Sequence, residues 1–341
     1  MSAHRSELAI DLGALRRNVR TLRRAVEGAD VWAVVKADGY GHGVLDVARV
    51  ALEEGAGALC VATLAEALPL RGAFPEARII VMGPTRELGE AGRAGLEIAV
   101  GDGPVPEGLS VHLKVDTGMG RWGFSELPGP TRDVVGLMTH FASADCDPGF
   151  TRAQVERFRA ATDALRGLTR HAANSAAALR FPEARFDAVR CGIALYGLSP
   201  FGADPADDGL EPVLSWRSHL AQVKRLAAGD STGYGRRFVA ERETWIGIVP
   251  VGYADGFRRD MTGTEVLVAG ERRRVVGTVS MDAVAVELPG ELAVETAVTL
   301  VGDGLLLEEH ARVADTINYE LACGIGAAAG VTRGVRRVLD A

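Results

Sequence analysis

No stretch of the chain approaches the roughly 20 uncharged apolar residues that a bilayer crossing requires, and the opening MSAHRSELAI lacks the apolar run of a secretory signal. The expectation is a cytoplasmic protein. Cysteine is scarce: Cys60, Cys146, Cys191 and Cys323 stand far apart with no CxxC pair, so no disulfide framework is expected and the four read as buried thiols. A basic excess is also missing. Lys+Arg number 38 against 45 Asp+Glu, for a net charge of -7, which disfavours polyanions and makes nucleic acid an unexpected partner. Internal repeats and low-complexity segments are absent, and no GxGxxG follows the first strand-like run.

With 47% apolar and 24% charged residues among 341, the composition is that of a globular protein large enough for one big domain or two. Near the start, Leu15, Val19, Leu22 and Val26 fall on one helical face, and Arg16, Arg17, Arg20, Arg23 and Arg24 form its solvated side. From Val31 to about Tyr196, eight short strand-like runs (VWAVVK, GALCVAT, RIIVMG, EIAV, SVHLKVD, VVGLMTH, TRHAANS and AVRCGIALYG) alternate with helical segments that often end at glycine. Eight βα units predict an α/β (β/α)8 barrel of the TIM type, ahead of a doubly wound open sheet. After Pro200, FGADPADDGLEP reads as a linker. The expected domains are a barrel over 1–209 and a mainly β domain over 210–341, with strand-like runs VLSWRSHLAQV, TWIGIVPVGYA, TEVLVAG, RRRVVGTVS, AVAVELP and AVTLVG and one helical stretch, EEHARVADTINYELA.

In such a barrel the site lies at the C-terminal ends of the strands. Lys36 follows the first strand, Arg121 the fifth, His140 ends the sixth, Asn174 and Ser175 follow the seventh, and Arg190, Gly192 and Ile193 lie at the eighth. Singly, Lys36 reads as a solvated lysine and His140 as a satisfied core histidine. In VVKADGYGHG, however, the lysine leaves an apolar strand and meets three glycines that allow close backbone approach; desolvated there, it could form a Schiff base. Arg190, inside an apolar strand, needs an anion or an acceptor. ANSAA and RCGI supply a hydroxyl and free backbone N–H groups where barrels bind phosphate. A lysine, a phosphate site and an arginine for a ring nitrogen are what pyridoxal phosphate chemistry requires.

VVKADGYGHG resembles the lysine segment of the alanine racemases, fold-type III pyridoxal phosphate enzymes that join a barrel to a mainly β domain. The resemblance continues through LKVDTGMGRWGF, MTHFASAD, HAANSAAALR, FDAVRCGIALYGL, TGYGRRF, VPVGYADGFRR, GTVSMD and DTINYE, in order and over nearly the whole chain. It implies that Lys36 carries pyridoxal 5'-phosphate and serves as one base. Tyr40, Ser175, Gly192 and Ile193 would hold the phosphate, with Asn174 and His140 beside the cofactor. Arg190 would donate to the pyridine nitrogen and keep it unprotonated, limiting electron withdrawal and favouring proton return. Tyr234 would be the second base, opposed to Lys36 and linked through His140 to Arg190. Arg121 would meet the substrate carboxylate, positioned by Lys114, which is carbamylated in some members.

The resemblance further implies a head-to-tail homodimer in which Tyr234, Met281 and Asp282 reach the other subunit's barrel, with Met281 near the substrate carboxylate. Tyr253 would line the entrance with Asp255 nearby. The implied reaction interconverts L- and D-alanine for peptidoglycan. Its alternatives are a broader racemase acting for example on serine, and a non-catalytic pyridoxal phosphate carrier, against which the long β domain speaks. A metal-using lyase lacks ligand spacing in the second half, and no metal is expected. The C-terminal run LACGIGAAAGVTRGVRRVLDA departs from the family's RVPR-like ending and has no tyrosine to touch the phosphate.

Overall fold

The structure, a computed structural model, describes residues 4–329 and 334–340. The central GVTR of the unusual C-terminal run lies outside the described residues. Two compact units are present: Leu15–Phe201 with Asp208–Glu211, and the residues up to Ala14 with Gly202–Asp207 and those from Pro212 onward.

Strand β1 (Ser6–Asp11) belongs to the second unit. The next eight strands are β2 (Asp30–Val34), β3 (Ala58–Val61), β4 (Ile79–Val81), β5 (Glu97–Val100), β6 (Val111–Lys114), β7 (Val134–Met138), β8 (Thr169–His171) and β9 (Ala188–Cys191). They pair in parallel and in sequence, and β2 pairs with β9 to close the barrel. These are the eight runs expected from the sequence. Parallel strands covered by helices are buried on both faces and so read as continuous β-branched runs; β3, β4, β6 and β9 have no exposed residue. The arginine-rich helix spans Leu12–Ala25. It buries Leu15, Val19 and Leu22 completely, with Val26 just beyond its end, each contributing about 1.5–3 kcal/mol. On its wet side Arg16 and Arg20 pair with Glu54, and Arg17 with Glu211.

The second unit carries β10 (Leu214–His219), β11 (Gln222–Leu226), β12 (Ser231–Thr232), β13 (Phe238–Val239), β14 (Thr244–Val249), β15 (Glu265–Val268), β16 (Glu271–Val276), β17 (Val284–Leu288), β18 (Ala297–Val301) and β19 (Val335–Asp340). Nine of its strands form one sheet in the order β11-β14-β17-β16-β15-β18-β10-β1-β19, while β12 and β13 pair separately. Three expectations are corrected. The 209/210 boundary misplaces the N-terminus, because β1 pairs antiparallel with β10 and parallel with β19 rather than joining the barrel. A short apolar run before a helix imitates a βα unit, yet its hydrogen-bond partners lie some 200 or more residues away. VLSWRSHLAQV is two strands, broken at Leu220 where its N–H turns to Thr296. The C-terminal helical stretch is two helices, Leu307–Val313 and Asn318–Ala329, separated at Asp315, whose φ is 50°. Among the described residues no helix is long and apolar enough to cross a membrane.

Candidate active site

Lys36 follows β2 at the C-terminal mouth of the barrel. Immediately after it the chain runs through left-handed backbone at Ala37, Asp38, Gly39 and Tyr40, with φ of 52, 53, 61 and 53°. Three of these carry a Cβ and pay roughly 1–2 kcal/mol each for that geometry, so neighbouring groups must hold the turn. Glu66 accepts from the Ala37 N–H at 2.8 Å, and Asp38 Oδ1 accepts from the Val44 N–H at 2.8 Å. Glu66 also accepts from the Ala62 and Thr63 N–H groups while closing a capping box with Thr63. Sequence reading missed Glu66, although TLAE, a threonine three residues before a glutamate, is the signature of such a box.

The strained turn delivers Tyr40 to the phosphate-type turn after β9. Its ring stacks on Tyr196 with centroids 4.9 Å apart, and Tyr196 donates to the Val34 carbonyl at 2.9 Å. The Tyr40 hydroxyl lies so close to Gly192 that a Cβ there would stand 2.5 Å from it. Ser175 Oγ accepts from the Gly192 N–H at 3.0 Å and the Ala194 N–H at 3.4 Å, and Ile193 is buried between them. Asn174 caps the helix Ser175–Arg180, its Oδ1 accepting from the Ala177 N–H. Tyr40, Ser175, Gly192 and Ile193 thus meet as the sequence suggested, with Asn174 holding the helix that presents Ser175.

Arg190 is buried and satisfied at both terminal nitrogens. Nη1 donates to His171 Nδ1 at 2.7 Å and to the His171 carbonyl at 2.8 Å; Nη2 donates to the carbonyls of Thr139 and Ala172 at 2.7 and 3.0 Å and reaches His140 Nδ1 at 3.2 Å. Its Nε has no partner among the described residues. Burial lowers the guanidinium to about 10, which leaves it charged at neutral pH. Burial, followed by the charges of Arg190, Lys114, Arg121 and Lys36, pushes His140 well below its usual range, so it is neutral. Lys36, Lys114, Arg121, His140 and Arg190 all lie at or just beyond the C-terminal ends of barrel strands.

Lys114, buried at the end of β6, is lowered to about 8 by burial and by the charges of Arg190 and Arg121. Trp122 lies beside both cations, 5.4 Å from Lys114 Nζ and 5.0 Å from the Arg121 guanidinium. The loop that carries Arg121 is shaped by Asp116, whose carboxylate accepts from the Gly118, Met119 and Gly120 N–H groups. Beneath it Thr117 and Thr139 hydroxyls meet at 2.8 Å, and Gln154, fully buried on the helix Pro148–Thr162, ties Thr117 to the His140 carbonyl and the Ala142 N–H. Gln154 carries no short-range sequence signal; its partners are 12 to 37 residues away.

The remaining predicted residues belong to the other unit, where three loops meet. The Thr278 hydroxyl donates to the Tyr234 carbonyl, the Tyr253 N–H to Ser280, and the Ala254 N–H to Met281. Tyr234, Met281 and Tyr253 are 72, 49 and 40% exposed on this cluster. Asp255, expected near the entrance, is buried, accepts from the Gly252 N–H and faces Arg5. Arg5 also donates to the Asp282 carbonyl. The expectation of four buried thiols is likewise corrected, since Cys60 and Cys191 are buried, Cys323 is partly so and Cys146 is exposed in a polar turn.

The barrel residues fit pyridoxal phosphate. A buried, charged arginine with one uncommitted N–H suits an unprotonated ring nitrogen, and the glycine-bared turn at Ser175 and Gly192 suits a phosphate.

Residues 10–200 match the family model for the alanine racemase N-terminal domain, and residues 213–332 that for its C-terminal domain. The chain is 40% identical to an alanine racemase of Levilactobacillus brevis over 95% of its own length and 96% of the relative's. It superposes on the alanine racemase of Streptomyces coelicolor A3(2) with a TM-score of 0.89 at 38% identity, covering 99% of this chain and 98% of that one. The alanine racemase of Bacillus anthracis with bound L-Ala-P matches with a TM-score of 0.85 at 34% identity, covering 99% and 95%.

Proposed function

The chain belongs to the alanine racemase family, and on that premise we propose that Lys36 and Tyr234 are the two opposed bases by which it interconverts L- and D-alanine. Pyridoxal phosphate, on which the family depends, supplies an electron sink that weakens the Cα–H bond of the amino acid. Lys36 holds the cofactor and moves the proton on one face of Cα. Tyr234 serves the opposite face.

Tyr234 carries the reading, because its aromatic ring is 72% exposed on a loop braced by Thr278. It reaches the barrel mouth of a second subunit in a head-to-tail homodimer, and Met281 and Tyr253 on the same loops go with it. A free tyrosine titrates near 10 and needs help at neutral pH. His140 provides it: Nδ1 accepts from Arg190, so the proton of the neutral ring sits on Nε2 and is donated to the tyrosine oxygen.

Arg190 would donate to the pyridine nitrogen and retain its own protons, which would favour proton return over side reactions. Ser175, Tyr40 and the backbone of Gly192 and Ile193 would hold the phosphate. Arg121 pairs with the substrate carboxylate, and Lys114, close to titrating at neutral pH, is the amine open to carbamylation beside it. We assign product D-alanine to peptidoglycan and the reaction to the cytoplasm.

The test is chiral separation of alanine after incubation of the purified protein and pyridoxal phosphate with L-alanine, alongside Lys36→Ala and Tyr234→Phe. D-alanine is expected from the wild type and not from either variant. Faster racemisation of serine than of alanine would overturn the substrate assignment.

A further inference from the structure

Behind Arg190 runs a line of three titratable side chains that none of the proposed steps uses. Glu97 Oε2 lies 2.6 Å from His112 Nε2, His112 Nδ1 lies 2.8 Å from His171 Nε2, and His171 Nδ1 lies 2.7 Å from Arg190 Nη1. Both imidazoles are fully buried, and Trp32 covers them with ring centroids 5.9 and 4.5 Å away. Glu97 opens β5 at the N-terminal rim of the barrel; Arg190 lies one residue from the end of β9, at the mouth. The line therefore passes through the barrel interior.

Its direction follows from what each atom can do. An ionised carboxylate only accepts, so His112 Nε2 must carry a proton. Arg78 secures that ionisation by donating to Glu97 at 2.7 Å. A neutral His112 then presents a bare Nδ1, which accepts from His171 Nε2–H. His171 in turn presents a bare Nδ1, which accepts from Arg190. Reversing one ring would set two N–H groups against each other in a water-free core. Room for the line is also specific: a Cβ on Gly136 would fall 2.1 Å from His112 Nδ1.

We propose that Glu97, His112 and His171 form a one-way hydrogen-bond relay that fixes the tautomer facing Arg190, making a carboxylate at the far rim of the barrel a positioning residue for the cofactor's ring nitrogen. This rests on the role proposed above for Arg190. Its signature is a coupled state: both histidines neutral and protonated at Nε2, with Glu97 as the group that sets them.

The experiment is long-range 1H–15N spectroscopy of the 15N-histidine holoenzyme, with steady-state kinetics on Glu97→Gln, Glu97→Asp and Gly136→Ala. In the wild type, His112 and His171 are expected as Nε2–H tautomers throughout pH 6–9. Glu97→Gln can turn its NH2 toward His112, so both histidines should lose their single tautomer together. The turnover number should fall about 10–100-fold, the range for partners that orient a ligating group, with KM little changed and Glu97→Asp recovering most of the loss. Gly136→Ala should disturb the same two resonances without touching Glu97. Finding His171 protonated at Nδ1 in the wild type overturns the relay. A Glu97→Gln protein with shifted tautomers and full turnover removes its positioning role. Expected tautomers in a wild type that does not racemise alanine leave the relay standing and refute the proposed function instead.

Discussion

Replacing Gly192 by alanine tests the phosphate turn with a single methyl group. The added Cβ would stand 2.5 Å from the Tyr40 hydroxyl oxygen, 3.0 Å from Cζ and 3.4 Å from Cε2, where ordinary contact is about 3.5–4.0 Å. Tyr40 cannot retreat freely, because its ring is buried against Tyr196 and its own φ is held at 53°. Overpacking of this kind costs about 1–3 kcal/mol. If the phosphate turn absorbs the strain, the dissociation constant for pyridoxal phosphate rises roughly 5- to 150-fold, at tenfold per 1.4 kcal/mol. Titrating apoprotein with the cofactor and following its absorbance reads this directly. Tyr40→Phe removes the closest atom, so Gly192→Ala should cost less in a Tyr40→Phe background than alone. An affinity within twofold of wild type, or equal cost in both backgrounds, refutes the packing argument.

Other expectations follow from the same geometry. The folded-state Lys114 amine titrates at about 8, below its ordinary 10.5, so between those values the unfolded chain holds more protons. Wild-type apoprotein should therefore gain stability from pH 8 to 10.5, whereas Lys114→Met should be more stable at pH 7 by up to about 3 kcal/mol and lack that gain; urea unfolding at pH 7, 9 and 10 in carbonate-free buffer decides it. Glu66→Ala strips the acceptor from the Ala37, Ala62 and Thr63 N–H groups and should lower stability by about 1–3 kcal/mol and slow cofactor capture at Lys36, read by denaturation and stopped-flow absorbance. Subunits of Lys36→Ala and Tyr234→Phe, each inactive alone, should regain about a quarter of wild-type activity when reassociated in equal amounts, since half the dimers would own one intact shared site. No recovery would place both bases within one subunit.

The barrel could be read from sequence because each of its strands is a local event. Runs such as VWAV, ALCV and IIV are buried on both faces, so their β-branched character survives without knowledge of neighbours. The ends of those strands then expose Lys36, His140 and Arg190 as exceptions to the apolar pattern. What stayed hidden depends on partners distant in sequence. Strand β1 is apolar like a barrel strand, and only its pairing with Trp216 and Arg337 neighbours assigns it to the other sheet. His112 and His171 each look like isolated core histidines until the closed barrel brings β6 and β8 within 2.8 Å of contact. Asp255 carries no short-range sign of burial, yet the tight turn folds it inward onto the Gly252 N–H.

Two opposed bases have one direct consequence for hydrogen isotopes. Tyr234→Phe, loaded with pyridoxal phosphate and incubated in D2O separately with L-alanine and D-alanine, leaves Lys36 as the only base. Deuterium should then enter Cα of one enantiomer with its configuration retained, while the other stays unlabelled and neither is converted. Lys36→Ala, loaded with pyridoxal phosphate and given no added amine, should show the reverse preference. Labelling of both enantiomers by Tyr234→Phe, or continued inversion, would contradict the assignment of Tyr234 as the second base.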